Sequence, residues 1–197
     1  MRESWILGSA NSGKLAEMRE LLSGHGIDVA SMADFDVAAP TETAATFVEN
    51  ALLKARAVAT ATGRIAIADD SGLCVDALGG APGIYSARYA GVHGDDRANN
   101  DRLLFQLRNV PETRRTATFH ATLAVCWAPD DPAPLITQGL WRGHIATTRR
   151  GDKGFGYDPL FIDRQSGLSA AELDPAIKNQ RSHRGHACRR LLEMLDD

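Results

Sequence analysis

With 197 residues, 44% of them apolar and 24% charged, the chain has the composition of a folded globular protein, long enough for one large domain or two joined lobes. A formal net charge of −3 argues against broad binding to nucleic acid or to a membrane surface, both of which call for a basic excess. It leaves room for a polyanionic small ligand, because clustered lysines and a divalent cation make a site locally positive.

The opening residues Met-Arg-Glu-Ser-Trp-Ile-Leu-Gly hold too short an apolar run for a signal peptide. Within it, Trp5 to Leu7 predicts a buried strand closed by Gly8. Helical spacing follows from Gly13 to Leu22, with Leu15, Met18, Leu21 and Leu22 on one face and Gly24 and Gly26 as stops. Ile27 to Ala30 reads as a second strand. Thr46-Phe-Val-Glu49 has the form of a capping box and opens a helix to about Thr62, stopped by Gly63. Ile65 to Ala68 predicts a short buried strand ending at Asp69-Asp70-Ser71-Gly72, and Gly79 to Gly91 an ordered loop. A helix is expected over Arg97 to Leu107.

Beyond it, Thr116, Thr118, His120 and Thr122 alternate with Ala117, Phe119, Ala121 and Leu123, the pattern of a strand. The turn signal Pro129-Asp-Asp-Pro132 and a returning strand, Leu135 to Ala146, make this a long β-hairpin. A last helix spans about Arg184 to Leu195. The fold class is mixed α/β, a central sheet with flanking helices and one long hairpin. No segment approaches the ~20 apolar residues of a membrane span. Cys74, Cys126 and Cys188 are widely spaced with no C-x-x-C pair, so the expectation is a reducing, cytoplasmic setting without a disulfide framework.

Five groups of residues carry candidate chemistry. Gly8-Ser9-Ala10-Asn11-Ser12-Gly13-Lys14 joins a strand to a helix, where backbone N–H groups, the helix N-terminus and the Lys14 charge can hold phosphate. Its spacing matches the Gly-x-x-x-x-Gly-Lys part of a P-loop, but Leu15 stands where the magnesium-binding Ser or Thr is needed. Asp69-Asp70-Ser71-Gly72 brings adjacent acids to a strand terminus, where Asp70 can hold a hard cation or orient a water. Glu42 is a further candidate ligand. Lys54 can face a pocket, since Leu52, Leu53 and Ala55 surround it, or lie in solvent. Gly154-Phe155-Gly156-Tyr157-Asp158-Pro159 can lay an aromatic ring flat against a purine. Ser182-His183-Arg184-Gly185, with Lys178 before it, offers donors to a base edge, and Ser182 can equally be a plain helix cap. Phosphate cradle, metal site, base platform and base-edge donors form a nucleotide-hydrolysis inventory.

The runs Gly8 to Lys14, Thr46 to Arg56, Asp69 to Tyr89, Gly154 to Pro159 and Ser182 to Gly185 resemble the inosine/xanthosine triphosphate pyrophosphatase family over nearly the whole chain. Ala68-Asp-Asp-Ser-Gly-Leu and Gly79-Gly-Ala-Pro-Gly-Ile-Tyr-Ser-Ala-Arg-Tyr are the most specific stretches. The resemblance implies a two-lobed α/β homodimer, one domain over residues 1–197, with a cleft for the nucleoside triphosphate. It also implies magnesium-dependent hydrolysis of ITP, dITP and XTP to the monophosphate and pyrophosphate, which clears deaminated purines from the nucleotide pool.

By the same resemblance, the Gly8 to Lys14 loop would bind the triphosphate with Lys54. Glu42 and Asp70 would hold magnesium, with Asp70 also the base, and Ser71 would touch the substrate. Phe155 would stack on the purine beside Gly156, Tyr157 and Asp158, and Lys178, His183 and Arg184 would read it. Arg88 is a weaker phosphate candidate. The family's opening Thr-Gly-Asn is replaced here by Ser9-Ala10-Asn11, which keeps the hydroxyl and loses a glycine's freedom. Two other readings stay open: a P-loop kinase or ATPase, against which Leu15 speaks, and a non-enzymatic nucleotide-binding module, against which the paired acids speak.

Overall fold

The first apolar run forms β1 (Glu3–Leu7), and its Trp5, Ile6 and Leu7 are buried. This strand lies between β2 (Ile27–Ser31) and β3 (Ala66–Val75), parallel to both. Parallel neighbours need crossover connections, which α1 (Ser12–Ser23) and α2 (Phe47–Thr62) supply. The protein is described by a computed structural model over residues 3–196. Met1 and Arg2, which begin the run read as too short for a signal peptide, lie outside the described residues, as does Asp197.

Helix boundaries follow their capping chemistry. Asn11 accepts a hydrogen bond from the Lys14 N–H at 3.0 Å and starts α1 one residue before the expected Gly13. Thr46 caps α2 by accepting from the Glu49 N–H, and its hydroxyl also donates to the Glu49 carboxylate at 2.7 Å. Gly63, at φ +64°, ends that helix in a left-handed cap.

Among the described residues six strands run in the order β2-β1-β3-β4-β5-β6. Strands β4 (Thr116–Cys126) and β5 (Leu135–Ile145) are neighbours, and the short connection 127–134 permits only an antiparallel hairpin. Asp131 fixes that connection by accepting from the Trp127 and Ala133 N–H groups. The short β6 (Phe161–Asp163) pairs antiparallel with β5. Helix α3 (Asp96–Leu107) precedes β4, and α4 (Pro175–Arg181) and α5 (His183–Asp196) close the chain. The fold is thus the mixed α/β arrangement expected, a six-stranded sheet with helices and a long hairpin. Among the described residues no helix is long and apolar enough to cross a membrane.

Three expectations are corrected. Strand β3 does not stop at Asp69-Asp70 but continues to Val75, because Leu73 and Val75 are completely buried and keep the chain in the sheet through Ser71-Gly72. The two acids therefore sit in mid-strand. The Gly79 to Gly91 stretch contains a 3-10 helix, Gly83–Arg88, and another precedes it at Asp76–Leu78. Strand β6 and helix α4 were not foreseen.

The chain divides into two compact units. The first comprises residues up to 70, 121–139 and from 183 onward. Its core packs Met18, Leu22 and Leu191 against Leu7, Val29 and Ile67, and on another side Ala55 and Val58 against Ile6 and Ala68. The second comprises residues 71–120 and 140–182, centred on Phe119, Trp141 and Phe161. The Phe161 ring lies 4.7 Å from Phe119 and 4.9 Å from Trp141, centroid to centroid.

Within the first unit α5 meets β5 at a glycine. A Cβ on Gly139 would overlap the His183 carbonyl oxygen and lie 2.5 Å from the Ala187 nitrogen, backbone atoms that cannot swing aside. Gly139→Ala is therefore expected to lower stability by about 1–3 kcal/mol. An unchanged urea unfolding midpoint would show that α5 can yield at this point.

Candidate active site

Asp69 and Asp70 are consecutive in β3, so their side chains leave the strand on opposite sides. Asp69 is completely buried. Its Oδ2 accepts from Lys14 Nζ at 2.9 Å and from Arg184 Nε at 3.0 Å. Arg184 also donates from Nη1 to Glu17 Oε2 at 2.8 Å. Lys14 and Glu17, three residues apart on α1, present their side chains to the same side. Burial alone would raise the Asp69 carboxyl, but the Lys14 and Arg184 charges outweigh it and hold the group well below the usual carboxylate range. Burial lowers the Lys14 ammonium despite Asp69. Arg184 is kept fully charged, the Asp69 and Glu17 carboxylates outweighing its burial.

Asp70 faces a different lysine. Lys54 Nζ donates to Asp70 Oδ1 at 2.6 Å, to Glu42 Oε1 at 2.9 Å and to the Asp69 carbonyl oxygen at 2.9 Å. All three ammonium protons are thereby used. Burial would lower the Lys54 ammonium, but Asp70 and Glu42 raise it. Burial pushes the Asp70 carboxyl up, with the Lys54 charge acting against it. Gly8 permits this arrangement: its missing side chain leaves α2 room, since a Cβ there would stand 3.2 Å from Ala68 Cβ and 3.4 Å from the Lys54 carbonyl oxygen.

Glu42 and Asp70 thus converge on one cationic point. Two carboxylates completed by water are a donor set that suits a hard divalent cation such as magnesium. Among the described residues no group of three or more His, Cys, Asp or Glu is gathered as a metal cluster, so the fit rests on this pair.

The loop before α1 is quiet in its backbone. Ser9 Oγ accepts from the Asn11 N–H at 3.2 Å, and Asn11 caps the helix. Ala10, Asn11 and Ser12 are exposed, while Gly13 is half-buried. No residue from Gly8 to Lys14 has a positive φ, so Ala10 sits where a family glycine would without backbone strain.

In the second unit, Gly154 (φ +76°) and Gly156 (φ +61°) flank the half-buried Phe155. Asp158 Oδ2 accepts from the Phe155 N–H at 3.0 Å and from Lys178 Nζ at 2.7 Å. Lys178 Nζ lies 5.2 Å from the Phe155 ring centroid, within cation–π range. A Cβ on Gly154 would overlap Asp158 Oδ2. Tyr157 donates its hydroxyl proton to the Ser86 carbonyl at 2.9 Å, and its burial pushes the phenol well above its ordinary value.

The structure therefore gathers Lys14, Glu42, Lys54, Asp69, Asp70 and Arg184 in the first unit, and Phe155, Gly156, Tyr157, Asp158 and Lys178 in the second. Arg184 and Lys178, read from sequence as base readers, are engaged with Asp69 and Asp158. Ser182 and His183 are buried at the entry to α5, and Ser71 is half-buried. Arg88 lies over the Tyr85 ring at 5.2 Å. Glu17, Asp96 and Asn100 went unremarked in the sequence, although Glu17 is one helical turn from Lys14. A groove of about 750 Å³ in the second unit, bordered by Arg142, His144 and Arg164, contains none of the candidate residues.

Fold and site together define an α/β protein that sets buried lysine–carboxylate pairs beside a helix N-terminus. Residues 5–194 match the model of the Ham1 family, and the chain belongs to that family. It is 52% identical over 190 residues to the dITP/XTP pyrophosphatase of Thioalkalivibrio sulfidiphilus, covering 96% of this chain and 97% of that one. The protein of the same name from Vibrio cholerae is 47% identical over 192 residues, 98% of this chain and 96% of its own. A HAM1 protein from Coxiella burnetii superposes with a TM-score of 0.89 at 46% identity, covering 98% of each chain. The Staphylococcus aureus Ham1 protein gives 0.85 at 37% identity, again over 98% of each.

The Asp69 ion pairs carry a pH signature. The folded carboxyl lies below its unfolded value near 4, so the pairing stabilises in full above about pH 5 and is lost as pH falls below about 4. Asp69→Asn leaves two cations short of a partner and is expected to cost about 3–5 kcal/mol at pH 7. The gap to the parent protein should narrow as unfolding is repeated at falling pH. A constant gap down to pH 3 would contradict the assignment.

Proposed function

We propose that the protein hydrolyses deaminated purine nucleoside triphosphates (ITP, dITP and XTP) to the monophosphate and pyrophosphate, in the cytoplasm and as a homodimer. The observation that carries the reading is the convergence of Asp70 and Glu42 on the Lys54 ammonium. Relatives about half identical over almost their whole length bear the name dITP/XTP pyrophosphatase.

The chain's own residues divide the work. The loop Gly8 to Lys14 at the start of α1 and Lys54 are assigned the triphosphate, using full charges, hydroxyl and amide donors, and the helix N-terminus. Phe155 is assigned the purine face, its backbone N–H held by Asp158 and its ring in contact with Lys178. Asp70 orients a water on the α-phosphorus and accepts its proton. A carboxyl raised by burial is a better proton acceptor than a solvated one. The bond from the α-phosphorus to the bridging oxygen breaks, and the pyrophosphate charge that develops is met by the lysines. Magnesium on Glu42 and Asp70 would supply Lewis-acid neutralisation of the phosphate oxygens.

The base edge is assigned to His183, which lies beside Arg184 at the start of α5. A donor there suits the 6-keto group of hypoxanthine or xanthine and opposes the 6-amino group of adenine. Sites built on such hydrogen bonds reject the mismatched partner by ~10⁴-fold or more. Comparable kcat/KM for ATP and ITP would remove this part of the reading.

Asp70→Asn keeps the shape and loses the proton acceptor, so turnover of ITP should fall ~10²–10⁴-fold with the fold intact. More than about a tenth of the activity remaining in a folded variant would sink the assignment of Asp70 as base. Hydrolysis of ITP in ¹⁸O-water should label IMP and leave pyrophosphate unlabelled. Initial release of IDP and inorganic phosphate would instead point to attack at the γ-phosphorus. Chelation should abolish turnover and added magnesium restore it.

A further inference from the structure

The Phe155 loop is held from α3 by two side chains that the mechanism does not use. Gly156 donates its N–H to Asp96 Oδ2 at 2.7 Å, and its carbonyl accepts from Asn100 Nδ2 at 2.8 Å. Asp96 and Asn100 are four residues apart, so one face of α3 grips both polar groups of one peptide residue. A Cβ built on Gly156 would meet no atom within 4 Å, and the residue has a left-handed φ of +61°. The two hydrogen bonds from α3 tie this point of the loop down.

Asn100 is also a poor choice for stability alone. It is 2% exposed, and its Nδ2 donates a second time, to the Asp96 carbonyl at 2.6 Å. Its Oδ1, however, is buried without a hydrogen-bond partner. An unpaired buried acceptor carries a desolvation penalty that an apolar side chain of similar volume would remove. The amide is kept for its donors. We propose that Asp96 and Asn100 are positioning residues for the substrate base, holding Gly156 by its N–H and carbonyl so that Phe155 keeps the orientation in which a purine stacks on it. The proposal rests on the reading of Phe155 as the base platform.

The test compares Asn100→Leu, Asp96→Ala, Asp96→Asn and Phe155→Ala, each by kcat and KM for ITP and by its urea unfolding midpoint. Asn100→Leu removes the donors together with the unpaired acceptor. It should leave the midpoint unchanged or raised while KM rises about tenfold and kcat changes less than threefold, the effect of losing roughly one good hydrogen bond's worth of binding. Asp96→Ala should raise KM in the same way. Asp96→Asn, whose amide oxygen still accepts from Gly156, should restore it. Combining Asn100→Leu with Phe155→Ala should add little to the KM of Phe155→Ala alone.

If Phe155→Ala raises KM and Asn100→Leu and Asp96→Ala do not, the clamp is overturned and the stacking assignment stands. If KM rises only in step with a lower midpoint, the two residues are structural and the proposal fails. If Phe155→Ala leaves KM unchanged, the base platform itself is wrong and the inference falls with it. Should Asn100→Leu not fold, the exposed Asp96 pair decides the matter.

Discussion

A single buried carboxylate organises the first unit's chemistry. Asp69 lies in β3, Lys14 at the start of α1 and Arg184 at the start of α5, and all three meet at one oxygen atom. Such a group is expensive to bury, and it is tolerated because two cations and their own second partners accompany it. Glu17 completes the set by taking the other side of Arg184. Because neighbouring residues in a strand face opposite ways, fixing Asp69 inward also fixes where Asp70 points. The Asp69 ion pairs and the Asp70–Lys54 pair are thus set by one register of one strand.

The second unit orders its loop with one buried ion pair and several backbone hydrogen bonds. Gly154 must lack a side chain for Asp158 to reach back to the Phe155 N–H, and Lys178 then bridges that carboxylate to the aromatic ring. Tyr157 is tied to the Ser86 carbonyl and Gly156 to α3, so the loop is held from outside as well as from within. A flat aromatic surface gains little affinity for a base unless its tilt is settled before the ligand arrives.

Much of this was legible from local pattern. The Thr46 cap, the apolar run before the paired acids, the alternation in β4 and the Pro129 to Pro132 turn all carry short-range signals that the structure honours. Reading a stop into Ser71-Gly72 failed because burial of Leu73 and Val75 outweighs a weak turn signal. Helix α4 was visible in principle, since Asp174 caps it and Pro175 takes its first position, but its span is too short for periodicity to show. The partners of Arg184 were beyond reach: Asp69 lies 115 positions away and Glu17 167, and no local rule pairs residues at such separations. Asn100 was hidden for the same reason, its contact with Gly156 spanning 56 positions.

The charge balance of the first unit's cluster bears on how a ligand reaches it. Three cations, Lys14, Lys54 and Arg184, stand against four carboxylates, Glu17, Glu42, Asp69 and Asp70. Every cation already has an anionic partner within the protein, and the chain as a whole is negative. Such a surface exerts no long-range pull on a bare polyanion and offers no steering to accelerate encounter at low ionic strength. It favours a ligand whose own charge has been reduced by a cation carried in with it. Under the proposed function, capture would depend on short-range exchange of partners, in which an incoming phosphate takes over a lysine that a carboxylate gives up.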